Sequence, residues 1–137
     1  MAWNKRIQES EIRDKVTELS VAFAEEFGEY LANNEKDGPE SLTTNQLRKF
    51  FGEVKRQQMA GYNEASFVML KPKLAYAVGR AKNGKQEKQF KIEDFYNVMR
   101  PAIDSVVKAP DKEKAFKNFI SIFEAIVAYH KQFEKTK

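Results

Sequence analysis

Apolar residues recur along this chain at intervals of three and four, and that spacing predicts helices over most of its length. The stretch around residues 70–80 organises the rest. At 100° per residue, Phe67, Leu70, Leu74, Ala77, Val78 and Ala81 fall on one face. Lys73 and Arg80, seven residues apart, share a second face with Tyr76 beside them. One side is built for burial. The other presents two cations and an aromatic ring, and reads as a docking surface mounted on a core helix. Pro72 inside this pattern implies a kink or the first turn of a fresh helix, and Asn83-Gly84 ends it.

The same period places the other elements. Residues 1–9 show no clean period and read as a loose arm. Ser10 is a candidate N-cap, and Ile12, Val16, Leu19, Phe23, Phe27, Tyr30 and Leu31 then predict one long helix ending near Asn33. Asp37-Gly38-Pro39 marks a loop. Thr43-Thr44-Asn45-Gln46 has the form of a capping box and opens a helix with the apolar face Leu47, Phe50, Phe51 and Val54. Gly61 and Asn63 punctuate its end. A fourth helix has the face Ile92, Phe95, Met99, Ala102, Ile103 and Val106, with a kink or break expected near Pro101. Asp111 caps a last helix running to about Glu134, whose stripe of Phe116, Phe119, Ile120, Phe123, Ile126, Val127 and Phe133 makes it the expected centre of the core. No stretch sustains a period of two. The expected fold is therefore all-α, a compact single-domain bundle of about five helices spanning 1–137.

Net charge changes this picture from a plain helical bundle to one with a directed surface. The overall +4 conceals an asymmetry: residues 1–45 hold 5 Lys/Arg against 10 Asp/Glu, residues 46–91 hold 11 against 3, and residues 92–137 hold 8 against 7. A basic middle third attracts polyanions, and an ordinary solvated lysine-rich surface is the alternative. On the capping-box helix, Arg48 and Lys55 form one i,i+7 pair and Lys49 and Arg56 another, each separated by ~10.5 Å along the axis. That length can track adjacent phosphates of an extended strand. Gly52 sits at the centre of this basic sector and costs up to ~1 kcal/mol relative to Ala. Either a foreign backbone approaches closely there or a neighbouring helix of the same chain packs tightly. Lys82, Lys85, Lys88 and Lys91 suggest a mobile basic loop able to wrap a phosphate backbone, or simply an exposed one.

Catalytic chemistry finds little footing. The chain has no Cys and one His, which removes thiol catalysis, disulfides and thiolate metal sites and suits a reducing cytosol. His130 lies on the apolar face of the last helix, where a packed, hydrogen-bonded imidazole is the ordinary outcome. Glu25, Glu26 and Glu29 have no His partner and no calcium-loop spacing, so they read as a solvated acidic face. There is no phosphate-binding glycine loop and no metal spacing. No cofactor, no metal and no enzymatic activity are expected. No apolar run approaches 18 residues and the N-terminus has no signal-peptide pattern, so no membrane association is expected.

Three segments together resemble a known family. Thr-Thr-Asn-Gln-Leu-Arg-Lys-Phe (43–50), Leu-Lys-Pro-Lys-Leu-Ala-Tyr-Ala-Val-Gly-Arg (70–80) and Phe-Glu-Ala-Ile-Val-Ala-Tyr-His-Lys (123–131) look like the helical small subunit of the type III-A CRISPR Csm interference complex. The resemblance covers roughly residues 43 to 131. It implies a cytoplasmic prokaryotic protein of antiviral and anti-plasmid defence. Several copies would stack along a guide RNA filament and contact the guide–target RNA backbone, chiefly the target strand, without reading sequence. It also implies that target RNA is cut by the backbone subunit, while DNA cleavage and cyclic oligoadenylate synthesis belong to the large subunit.

Carried onto matching positions, the resemblance assigns RNA contacts to Arg48, Lys49, Lys71, Lys73, Arg80 and Lys131, with Lys55 and Arg56 added by helical geometry. Tyr129 and His130 fall to a structural or subunit-contact role. The implied partners are guide and target RNA, the backbone and large subunits, and neighbouring copies of the chain, with a homodimer in isolation. The acidic first helix is the candidate surface for a neighbouring subunit. Two other readings remain open: a free-standing basic nucleic-acid-binding protein, and a protein adaptor whose basic third docks an acidic partner.

Overall fold

Seven helices follow one another in the computed structural model, which describes residues 3–33, 41–83 and 90–134. They are α1 (Glu9–Arg13), α2 (Glu18–Ala32), α3 (Thr44–Ala60), α4 (Glu64–Val68), α5 (Leu70–Lys82), α6 (Lys91–Lys108) and α7 (Lys112–Phe133). Five are long; α1 and α4 are single turns of five residues. Every regular element among the described residues is a helix.

The expected phenylalanine stripe puts α7 at the centre. Phe116, Phe119, Ile120, Phe123 and Ile126 are buried, and α7 packs against α1, α2, α3 and α6. Ring contacts tie the layers together. Phe50 of α3 meets Phe123 of α7 at 5.3 Å and Phe95 of α6 at 5.4 Å, both edge-on. Phe67 of α4 meets Phe119 at 5.2 Å in the same geometry. Each such ring contributes its buried area plus about 0.5–1.5 kcal/mol of pair energy. As expected, His130 is buried and hydrogen-bonded. Its Nε2 stands 2.7 Å from the Leu42 carbonyl oxygen, which can only accept, so Nε2 carries the proton.

Three expectations are corrected. The long first helix is two helices: the chain breaks between Arg13 and Glu18. The cause is local. The buried Glu11 carboxylate accepts from the Thr17 backbone N–H at 2.9 Å, from the Thr17 hydroxyl and from the Ser20 hydroxyl. Burial opposes that charge, yet the bonds from Ser20 and Thr17 outweigh it and hold the carboxyl below its usual range. Thr17, not Ser10, caps α2, its side chain accepting from Leu19 N–H. Of the segment expected as a loose arm, residues 3–9 are described and are anchored by Trp3 and Ile7, Trp3 lying 4.9 Å from Phe27 and 5.0 Å from Tyr30. Finally, of the kink or break expected near Pro101, the break is overturned: α6 is one helix through Pro101, which lies on its exposed side, with the Ser105 hydroxyl donating to the Pro101 carbonyl at 3.0 Å.

Pro72 resolves into the fresh-helix alternative. It is the third residue of α5, after α4 has ended at Val68. A first-turn N–H has no intrahelical acceptor, so its absence in proline costs nothing there.

Candidate nucleic-acid interface

The capping box predicted from residues 43–46 is formed. The Thr43 side chain accepts from Gln46 N–H at 3.1 Å, and the Gln46 side chain accepts from Thr43 N–H at 2.9 Å. This fixes the start of α3 and hence the rotation at which its basic residues emerge. On the other side, Leu70 and Leu74 seat α5 against α6. Lys71 reaches across to Asp104 of α6 at 2.7 Å.

Packed on different neighbours, α3 and α5 leave a groove of about 570 Å³ between them. Its floor is apolar, built from Leu47 and Phe50 of α3, Leu74 and Ala77 of α5, and Ile92 and Phe95 of α6. Its rim is polar and mostly cationic: Lys49 and Glu53 from α3, Lys73, Tyr76 and Arg80 from α5. The Tyr76 ring is 70% exposed.

The eight cations singled out from sequence divide by what surrounds them. Lys49, Lys73 and Arg80 are brought together on the groove. Arg48 and Lys55 share a second face of α3, and Arg56 lies on the side of Lys49, against Glu53 of the groove. Lys71 faces α6, and Lys131 stands on the last turn of α7, with Glu134 at 3.5 Å. Arg48, Lys49 and Arg80 are exposed and have no acidic partner among the described residues. Lys55 is held by Glu124 of α7 at 2.6 Å, and Arg56 makes a two-point contact with Glu53. Lys73 stands 3.4 Å from the same Glu53.

Glu53 is the site residue that sequence reading missed. Hydrogen bonds from Arg56 and Gln57, with the Lys73 charge nearby, bring its carboxyl down to about 2 against burial. It therefore stays an anion and ties the two basic helices to each other across the groove. The i,i+3 spacing of Glu53 and Arg56 was a visible signal; the link to Lys73, twenty residues on, was not.

Gly52 sits in the open. A Cβ built there meets nothing within 4 Å, so tight packing by a helix of the same chain is overturned as its reason. Lys91, expected in a basic loop, is fully buried as the first residue of α6. Its Nζ donates to the Tyr30 and Asn33 carbonyls at 2.5 and 2.8 Å, capping the end of α2. Lys82 pairs with Glu93 at 2.9 Å. Lys85 and Lys88 lie outside the described residues. Among the described residues, no group of three His, Cys, Asp or Glu is placed to hold a metal, and no helix is long and apolar enough to cross a membrane.

Comparison with known proteins gives one match. Curated proteins yield none, and neither do solved structures. The family model described as Csm2 Type III-A matches residues 14–136, a span that contains α2 to α7 and both basic helices, and the chain therefore belongs to the Csm2 Type III-A family and is a subunit of a type III-A CRISPR Csm complex.

Proposed function

We propose that this subunit is a single-domain, non-catalytic RNA-binding component of the effector complex. It stacks beside the guide RNA filament and contacts the guide–target RNA backbone in a prokaryotic cytoplasm, in defence against viruses and plasmids. One observation carries the RNA reading. Arg48, Lys49 and Arg80 stand exposed on the two helices flanking the groove without acidic partners among the described residues. A cation already neutralised adds little to phosphate binding, whereas an unpaired one releases counterions when phosphate arrives. Arg48, Lys49 and Arg80 are thus the main backbone contacts, and Lys73, whose Nζ stands 3.4 Å from Glu53, is a weaker one beside them. Lys55, Arg56, Lys71 and Lys131 are secondary ones, because each would have to leave a carboxylate. Backbone contacts of this kind position a strand without reading its sequence.

The outer face of α2 supports stacking on a neighbour. It carries exposed Glu18, Glu25 and Glu29 beside Leu19 and Val21, which are 58% and 44% exposed. Acidic and apolar groups together suit a basic surface on a partner subunit or a second copy, and a homodimer forms when isolated copies have no other partner.

The test is fluorescence anisotropy with a labelled single-stranded RNA of ~40 nucleotides, titrated across salt concentrations. Affinity should fall as salt rises. The quadruple change Arg48→Ala, Lys49→Ala, Lys73→Ala and Arg80→Ala should weaken binding and make the salt slope shallower. Binding indifferent to the four changes would move the RNA surface elsewhere. No binding even at low salt, alone or after assembly with partner subunits, would favour a protein adaptor.

A further inference from the structure

A surface that only grips phosphates needs no cavity beneath its cations. Here Lys49, Lys73 and Arg80 stand over a groove of about 570 Å³, within the range of roughly 300–1,000 Å³ typical of sites that enclose a small ligand. Beneath the cations the walls are apolar, at Phe50, Leu74 and Ala77. At the rim the exposed Tyr76 ring offers a flat face, and bases of single strands stack on such rings. The Asn45 amide also lines the groove and makes no hydrogen bond among the described residues, so its donor and acceptor are free for the edge of a base. A mostly cationic rim, an aromatic platform, an apolar floor and a free amide fit one chemistry, that of a nucleotide.

We infer that the α3–α5 groove receives an unpaired base of the bound RNA, stacked on Tyr76, while Lys73 and Arg80 hold its phosphate. This rests on the RNA-binding reading and adds to it a contact that depends on the base being present. Glu53 takes part by position: it holds Lys73 at the rim and does not compete for the base, since Arg56 and Gln57 occupy it. The groove does not distinguish one base from another by these features alone, because every base has a face to stack.

The experiment compares an oligouridine of ~20 nucleotides with the same backbone lacking bases, binding to the intact protein and to Ala77→Trp. The substitution fills the floor and removes no charge. Intact RNA should bind the native protein about fivefold or more tighter than abasic RNA, and Ala77→Trp should erase that difference while keeping the salt dependence. Equal binding of the two RNAs by the native protein would overturn the inference and leave the backbone reading standing. Failure of both RNAs to bind, alone and after assembly with the partner subunits, would overturn both. Should Ala77→Trp keep the preference for intact RNA but fail to assemble with its partner subunits, the groove belongs to a protein and the inference falls. The abasic comparison needs no variant, so a poorly folded Ala77→Trp would not shelter the proposal.

Discussion

A methyl group added at Gly28 would stand 2.7 Å from Tyr129 Cβ and 2.9 Å from the His130 backbone nitrogen, whereas one added at Gly52 would meet nothing. Both glycines sit inside helices, so both carry the same backbone entropy cost, but only Gly28 is required by the packing of α2 on α7. Gly28→Ala should therefore destabilise the protein by about 1–3 kcal/mol through overpacking. Gly52→Ala should stabilise it by about 0.5–1 kcal/mol. Thermal unfolding should show melting temperatures moving in opposite directions; a fall in both would contradict the open position of Gly52. Sequence singled out Gly52 because it interrupts a basic sector, yet could not supply its reason, which depends on what α3 faces. Gly28 drew no attention, since its need arises about a hundred residues away. Lys91 was misplaced for the same reason: a lysine beside a lysine-rich loop looks solvated until two orphan carbonyls of α2 are found above it.

Long helices were legible where one apolar face keeps its period. That covers α3, α5, α6 and α7, whose predicted faces pack inward except at Phe133, which is half-buried at the end of α7. The first helix was misread because its apolar stripe continues across the break. What stops it is a carboxylate, a threonine and a serine bonding one another in preference to the helix ladder, and hydrophobic periodicity carries no trace of that. The groove was half legible. Its cations could be named from α3 and α5 separately, but their convergence depends on α3 packing against α7 while α5 packs on α6. Glu53 supplies the test at this scale. Its carboxyl lies at about 2 in the folded chain, below its ordinary 4.5. A depressed acid stabilises the fold above its unfolded value, and that contribution is lost as pH falls. Glu53→Gln should thus cost about 1–2 kcal/mol at pH 7, with solvent screening included. The gap to the native protein should close as pH drops from 4.5 towards 2. A gap independent of pH would show that Glu53 is not held as an anion between α3 and α5.

Across the whole molecule the two ends of the charge asymmetry become two surfaces. Acidic side chains of the first third emerge on α2, with Glu26 drawn to Lys5 at 2.7 Å and Glu25 and Glu29 left exposed. The basic middle third becomes the faces of α3 and α5. Such opposed fields steer association and set which partner meets which face. Reversing Glu25 and Glu29 to Lys touches no ion pair among the described residues, so the fold should survive with its circular dichroism unchanged. Assembly with the partner subunits should weaken at least tenfold in a pull-down titration; undiminished assembly would remove α2 from the contact surface. Whether α3 and α5 meet the RNA is read by ultraviolet cross-linking of the assembled complex carrying guide and target RNA, with adducts located by mass spectrometry. Adducts should fall on peptides of α3 and α5, around Lys49, Lys73 and Tyr76. Adducts confined to α2 or α7, or none on this subunit while its partners cross-link, would contradict that contact.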